Sequence, residues 1–147
     1  MGTDSKVELY RSMRSLVQVI KRRSICEMKE KFGNEISHAE FRVLLYIDPS
    51  QGSSMGDIAA RWSMQMSNLA KTVSSLIARG YIYKRQSEDD KRIKLLFLTE
   101  AGSVTKDKFI KEFEGRINDI LESVDDSHVE AALEAVNSIM EQIRGKR

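Results

Sequence analysis

Apolar residues at Leu9, Met13, Leu16, Val17 and Ile20 recur at the three- and four-residue spacing that lines one face of a helix. The spacing predicts a first helix that continues to about Met28. The run ISHAEF then starts a second helix. Ser37 can accept a backbone N–H at the helix start, Glu40 three residues on can reach back to it, and Ile36 can pack against Phe41. Val43, Leu44 and Ile47 carry the buried face until Pro49 and Gly52 stop it.

A further start signal stands at SSMGDIAARW, with Ser54 as cap and Asp57 near the positive end of a short helix. It leads into SMQMSNLAKTVSSLIARG, where Leu69, Val73, Leu76 and Ile77 form an apolar stripe and Gly80 ends the helix. Two helices joined by a few residues, the second amphipathic with small polar residues at its start, predict a helix-turn-helix. Tyr81, Ile82 and Tyr83 then begin a strand, SEDDKR forms a polar tip, and Ile93, Leu95 and Phe97 alternate with Lys94, Leu96 and Leu98 on the way back. A hairpin directly after a helix-turn-helix predicts a winged helix.

Thr99 can cap a long helix with Glu100 in its first turn and apolar positions at Ile110, Phe113, Ile117, Ile120, Leu121 and Val124. Ser127 and Glu130 predict a capping box for a last helix carrying Val129, Leu133, Val136, Met140 and Ile143. The predicted fold class is mostly α with a small β wing. A winged helix-turn-helix core spans 37–99, an N-terminal helix 1–36, and two C-terminal helices 100–147. Apolar stripes at both ends exceed what a lone winged core can cover.

Composition changes this picture little. The chain has 147 residues, 41% hydrophobic and 31% charged, as a globular rather than a disordered protein has. No apolar run approaches the roughly 20 residues that span a bilayer. The opening MGTDSKVELYRSMRS lacks an apolar core and a small-residue cleavage site, so a cytoplasmic protein is expected. Cys26 is the only cysteine, which excludes an internal disulfide and agrees with a reducing compartment.

Charge is more informative once divided. Residues 1–53 carry 9 basic and 7 acidic groups, residues 54–99 carry 8 and 4, and residues 100–147 carry 7 and 11. A basic middle beside an acidic end points to a polyanion meeting the middle.

The residues Asp90 and Arg92 at the tip, then Leu98, Thr99 and Gly102, spell Asp-x-Arg followed by Leu-Thr-x-x-Gly. Together with LIARGYIYKR, which matches the end of a recognition helix and a first wing strand, this signature resembles the MarR family of winged-helix transcription regulators. The resemblance extends over nearly the whole chain. It implies a homodimer whose N- and C-terminal helices interlock while each winged core sits on double-stranded DNA. It also implies a repressor released by a small-molecule effector held between the DNA-binding core and the dimerisation helices. A departure stands at Gln65, where the family often has Ser or Thr, and Ser63 and Ser67 remain alternative caps. Some members sense oxidants through a cysteine near the N-terminal helix. Cys26 beside Lys21, Arg22 and Arg23 is therefore a candidate thiol sensor, against the ordinary reading of a small buried hydrophobe. A reading from another class is a winged-helix module that presents its wing to a protein and binds no DNA.

The residues supply chemistry for the DNA reading. Gln65, Ser67, Asn68 and Lys71 occupy the first turns of the recognition helix, opposite the Leu69 and Val73 stripe, where Gln or Asn can bond adenine edges and Lys guanine acceptors. Ser53 and Ser54 stand at a helix N-terminus, which favours phosphate. Arg92 on the wing tip suits a narrow minor groove, Asp90 can hold the tip in shape, and Lys91 and Lys94 can meet phosphates. A two-fold dimer then calls for a near-palindromic site. Other chemistry finds little support. His38 and His128 have no metal-ligand partners at usable spacing, and Trp62 is expected in the core. No nucleophile motif or Gly-rich phosphate loop is present, so neither an enzyme, a metal nor a cofactor is expected.

Overall fold

In the computed structural model, which describes residues 3–32 and 35–145, the elements run α1 (Thr3–Phe32), α2 (His38–Tyr46), β1 (Ser53–Ser54), α3 (Met55–Trp62), α4 (Met66–Ala78), β2 (Ile82–Gln86), β3 (Lys94–Leu98), α5 (Glu100–Leu121) and α6 (Asp126–Arg144). Met1 and Gly2, which open the stretch read above for a targeting signal, lie outside the described residues. The architecture is mostly helical, with a three-stranded antiparallel sheet in the order β1-β3-β2 as its wing.

The helix starts follow local chemistry. At α2 the Ser37 hydroxyl accepts the Glu40 N–H at 3.1 Å and the Glu40 carboxylate accepts the Ser37 N–H at 2.9 Å. Ile36 and Phe41, on either side of this box, are both buried. Such a cap stabilises a helix by about 0.5–2 kcal/mol. Ser54 caps α3 by accepting the Asp57 N–H, and Thr99 caps α5 by accepting the Gly102 N–H at 3.0 Å. Helix α4 closes on Gly80 at φ +78°. The Gly80 N–H bonds the Ile77 carbonyl and the Tyr81 N–H the Leu76 carbonyl, both at 3.0 Å, a paired closure that needs the left-handed conformation.

Several boundaries differ from the periodicity. Helix α1 extends past Met28 to Phe32, whose ring is buried against Phe109 at 4.7 Å between centroids. Tyr81 is spent on closing α4, so the strand starts at Ile82. Ile93 lies in the tip, exchanging backbone bonds with Ser87 and Asp90. Strand β1 is too short to show a period, and pairs Ser53 with Leu96 and Ser54 with Leu95. The cap of α6 is Asp125 and not Ser127, because the Asp125 carboxylate takes both the Ser127 N–H, at 2.8 Å, and the Ser127 hydroxyl.

The core lies where α2, α3, α4 and the sheet meet. Val43, Leu44, Ile58, Leu69, Leu76 and Leu96 have no exposed surface, and Phe32 and Phe109 extend the cluster into α1 and α5. Outside it the helices are bare. No residue of α6 is buried, and Leu9, Leu16 and Val17 of α1 are 46%, 56% and 61% exposed. Ion pairs Lys31–Glu112, Lys108–Glu35 and Arg116–Glu27, at 2.9, 3.0 and 3.3 Å, fasten the second half of α1 to α5 or its neighbouring turn.

Candidate nucleic-acid interface

One side of α4 is fixed and the other is free. Leu69, Val73 and Leu76 are buried, while Gln65, Ser67, Asn68 and Lys71 are all exposed. The start of this helix has no side-chain cap. Gln65 is its N-cap residue without a side-chain bond, Ser67 lies inside the first turn, and Ser63 closes α3 in the left-handed region at φ 52°. Neither serine therefore takes the capping role. Among the described residues the side chains of Gln65, Asn68 and Lys71 have no hydrogen-bond or ion-pair partner within the chain, and remain available to a ligand outside it.

The wing tip is ordered by its acids. Asp90 accepts the Arg92 backbone N–H at 2.9 Å, the Asp90 carbonyl takes the Ile93 N–H at 3.0 Å, and Gln86 donates to the Lys91 carbonyl at 2.6 Å. Glu88 pairs with Arg85 at 2.7 Å. Lys91, Arg92 and Lys94 project exposed and, among the described residues, pair with no carboxylate. At this tip Asp90 bonds the loop backbone while Lys91, Arg92 and Lys94 point outward. Lys84, exposed on β2, adds a cation that the sequence reading passed over. The adjacent bases at 84 and 85 were the available signal.

The two serines at the start of α3 are both engaged within the chain. Ser53 is buried, its hydroxyl accepting the Asp48 N–H at 2.9 Å and donating to the Tyr46 carbonyl at 3.1 Å, so it is not presented to a phosphate. Ser54 is half-buried and its oxygen is taken by Asp57. A serine beside a helix start looks the same in sequence whether it faces out or sits in a strand pair.

Behind α4 is a polar cluster that periodicity did not reveal. Glu40 is buried and accepts Ser75 Oγ at 2.7 Å and Arg79 Nη1 at 3.0 Å, besides its bond to the Ser37 N–H. Arg79 also donates to the Glu35 carbonyl and lies over the Tyr81 ring at 5.1 Å. Burial pushes the Glu40 carboxyl up, but the bonds from Ser37, Ser75 and Arg79 outweigh it and hold the group below its ordinary value. The cluster fixes α4 on α2.

A cleft of about 1000 Å³ separates α1, α2 and α5. Ile20, Met28, Phe41, Phe109 and Phe113 give it apolar walls, and Lys21, His38 and Arg42 a basic side. Burial, then the cations Arg42 and Lys21, hold the His38 pKa below its ordinary value. Cys26 lies exposed on α1 and is not a core residue of this chain. Trp62 is partly buried, packed against the core edge. Among the described residues no cluster of metal-ligating side chains occurs and no helix is long and apolar enough to cross a membrane.

A helix-turn-helix followed by a basic wing, with an outward polar face on α4, defines a winged-helix fold. Comparison with known proteins agrees. The MarR family model matches residues 35–93. The HTH-type transcriptional regulator YpoP of Bacillus subtilis is 20% identical over 142 residues, 97% of this chain and 98% of that protein. The HTH-type transcriptional regulator BilQ of Clostridium symbiosum is 34% identical over 65 residues, 44% of this chain and 45% of that one. The transcriptional regulator BldR of Sulfolobus solfataricus superimposes with a TM-score of 0.70 at 25% identity, over 97% of this chain and 99% of that one. Over residues 35–93 the chain matches the MarR family model, and over nearly its whole length it is similar to HTH-type transcriptional regulators and shares their fold.

Proposed function

We propose that the protein is a cytoplasmic, dimeric repressor that reads a near-palindromic double-stranded DNA site and is released by a small molecule in the cleft between α1, α2 and α5. The observation that carries the reading is the outward set of unpaired groups on two adjacent elements, Asn68 and Lys71 on α4 and Arg92 on the wing, over a core that leaves them nothing to bond. The helix suits the major groove and the wing the minor groove. In this reading residues 37–99 carry DNA recognition. Residues 1–36 and 100–147 pair two copies, which would cover Leu9, Leu16, Leu133 and Ile143, now 46%, 56%, 60% and 68% exposed. The cleft's apolar walls and basic side suit a small effector.

Selection from random duplex DNA tests the reading. The expected outcome is a near-palindrome with half-sites about one helical turn apart. No enrichment would favour the protein-interaction module. The exposure of Cys26 favours one second reading, thiol sensing. Peroxide would then weaken DNA binding in the parent and leave Cys26→Ser unaffected.

A further inference from the structure

Arg42 occupies a place that neither the wing nor the recognition helix explains. Its side chain lines the cleft, and its Nη2 donates to the Tyr46 hydroxyl one helical turn on, at 2.6 Å. The same guanidinium lies 4.8 Å from the ring of Trp62 and 5.5 Å from that of Tyr46, with the two rings 6.4 Å apart. Trp62 is the last residue of α3 and adjoins Ser63, the left-handed residue that turns the chain toward α4. Past it, the Met64 N–H bonds the Ala59 carbonyl and the Leu69 N–H the Gln65 carbonyl.

From this arrangement we propose that Arg42 is a positioning residue, a latch that holds the turn between α3 and α4 from the cleft side. A guanidinium on an indole face is attracted by the ring's negative potential, and more strongly where water is partly excluded. The bond to Tyr46 fixes its orientation, so Trp62, and the turn attached to it, has one preferred seat. Because Arg42 also faces the cleft, a cleft occupant that pulls its guanidinium inward weakens its contact with the indole. The turn that presents Gln65 and Asn68 is then less firmly held. Glu40, Ser75 and Arg79 tie the far end of α4 to α2 independently, so loosening falls on the helix's reading end.

The inference rests on the DNA-binding reading only for its consequence, and the test separates the two. Trp62 is the only tryptophan, so all indole emission comes from this one site. Arg42→Met keeps the length of the side chain and withdraws the charge, as a competing ligand would. In the free full-length protein, Arg42→Met should shift Trp62 emission and speed amide exchange across residues 60–69 by roughly three- to ten-fold, with exchange in 75–80 unchanged. Tyr46→Phe, which removes only the accepting hydroxyl, should move both readouts the same way by less, and decides the matter if Arg42→Met does not fold. Folded variants with unaltered emission and exchange would overturn the latch. So would faster exchange spread evenly over the chain, which marks general destabilisation. DNA titration of the parent decides the DNA reading separately, since neither free-protein readout depends on it.

Discussion

The Asp90 carboxylate accepts the backbone N–H of Arg92 at 2.9 Å, and the Arg92 side chain is left exposed without an acidic partner. An acid two residues from a base therefore shapes the loop and does not neutralise the guanidinium. Asp90→Ala should loosen the tip while leaving its cations Lys91, Arg92 and Lys94 in place. The expected loss in DNA affinity is about 0.5–1.5 kcal/mol, the net worth of one such bond, with the salt dependence of binding unchanged. Fluorescence anisotropy at several salt concentrations checks both expectations.

Gly102 presses the start of α5 onto the chain leaving α4. A Cβ there would lie 1.9 Å from the Tyr81 carbonyl oxygen, whereas at Gly115, in the same helix, nothing lies within 4 Å. Gly102→Ala should destabilise the fold by at least about 1–3 kcal/mol, and Gly115→Ala should stabilise it by about 0.5–1 kcal/mol. Urea denaturation of the two variants distinguishes a packing requirement from helix propensity.

The Glu40 cluster predicts a pH dependence with a definite sign. Its carboxyl is held below the ordinary value in the folded protein, so its contribution to stability is present above the unfolded-state value and is lost as pH falls through the folded one. Glu40→Gln should cost about 1–3 kcal/mol at neutral pH. The gap between parent and variant should close on acidification below the carboxylate range. Denaturant midpoints across a pH series measure this.

Leu133 is 60% exposed on a helix with no buried residue. If α6 pairs two copies, Leu133→Glu places a charge in a dry contact and should shift a dimer toward monomer in sedimentation velocity. The melting of residues 37–99 should change little.

Where local chemistry alone decides, the sequence was legible. The Ser37–Glu40 box, the caps at Ser54 and Thr99, the closure at Gly80 and the α4 stripe follow from single residues and a 3.6-residue period, and the structure has them. The MarR-type signature is also explained: Thr99 caps α5 while donating to the Gly80 carbonyl at 2.6 Å, and only glycine fits at position 102. What escaped depends on long-range contact. Ser53 looked like a helix-end residue because a two-residue strand has no period, and its burial is set by Leu96, 43 positions on. The bond from Ser75 to Glu40 joins residues 35 apart, and nothing in either neighbourhood announces it. Ser127 lost the cap of α6 to Asp125 because both residue types cap helices and stand two positions apart.

The central claim, that α4 reads bases while the wing supplies charge and groove shape, is tested most directly by binding titrations at several salt concentrations. Parent, Asn68→Ala and Arg92→Ala would each be titrated on the selected site and on a scrambled duplex. Asn68→Ala should cost about 1–3 kcal/mol on the selected site and far less on the scrambled one. Arg92→Ala should weaken both duplexes and lower the salt slope by about one counterion. Equal losses on both duplexes for Asn68→Ala, with no change for Arg92→Ala, would contradict the assignment.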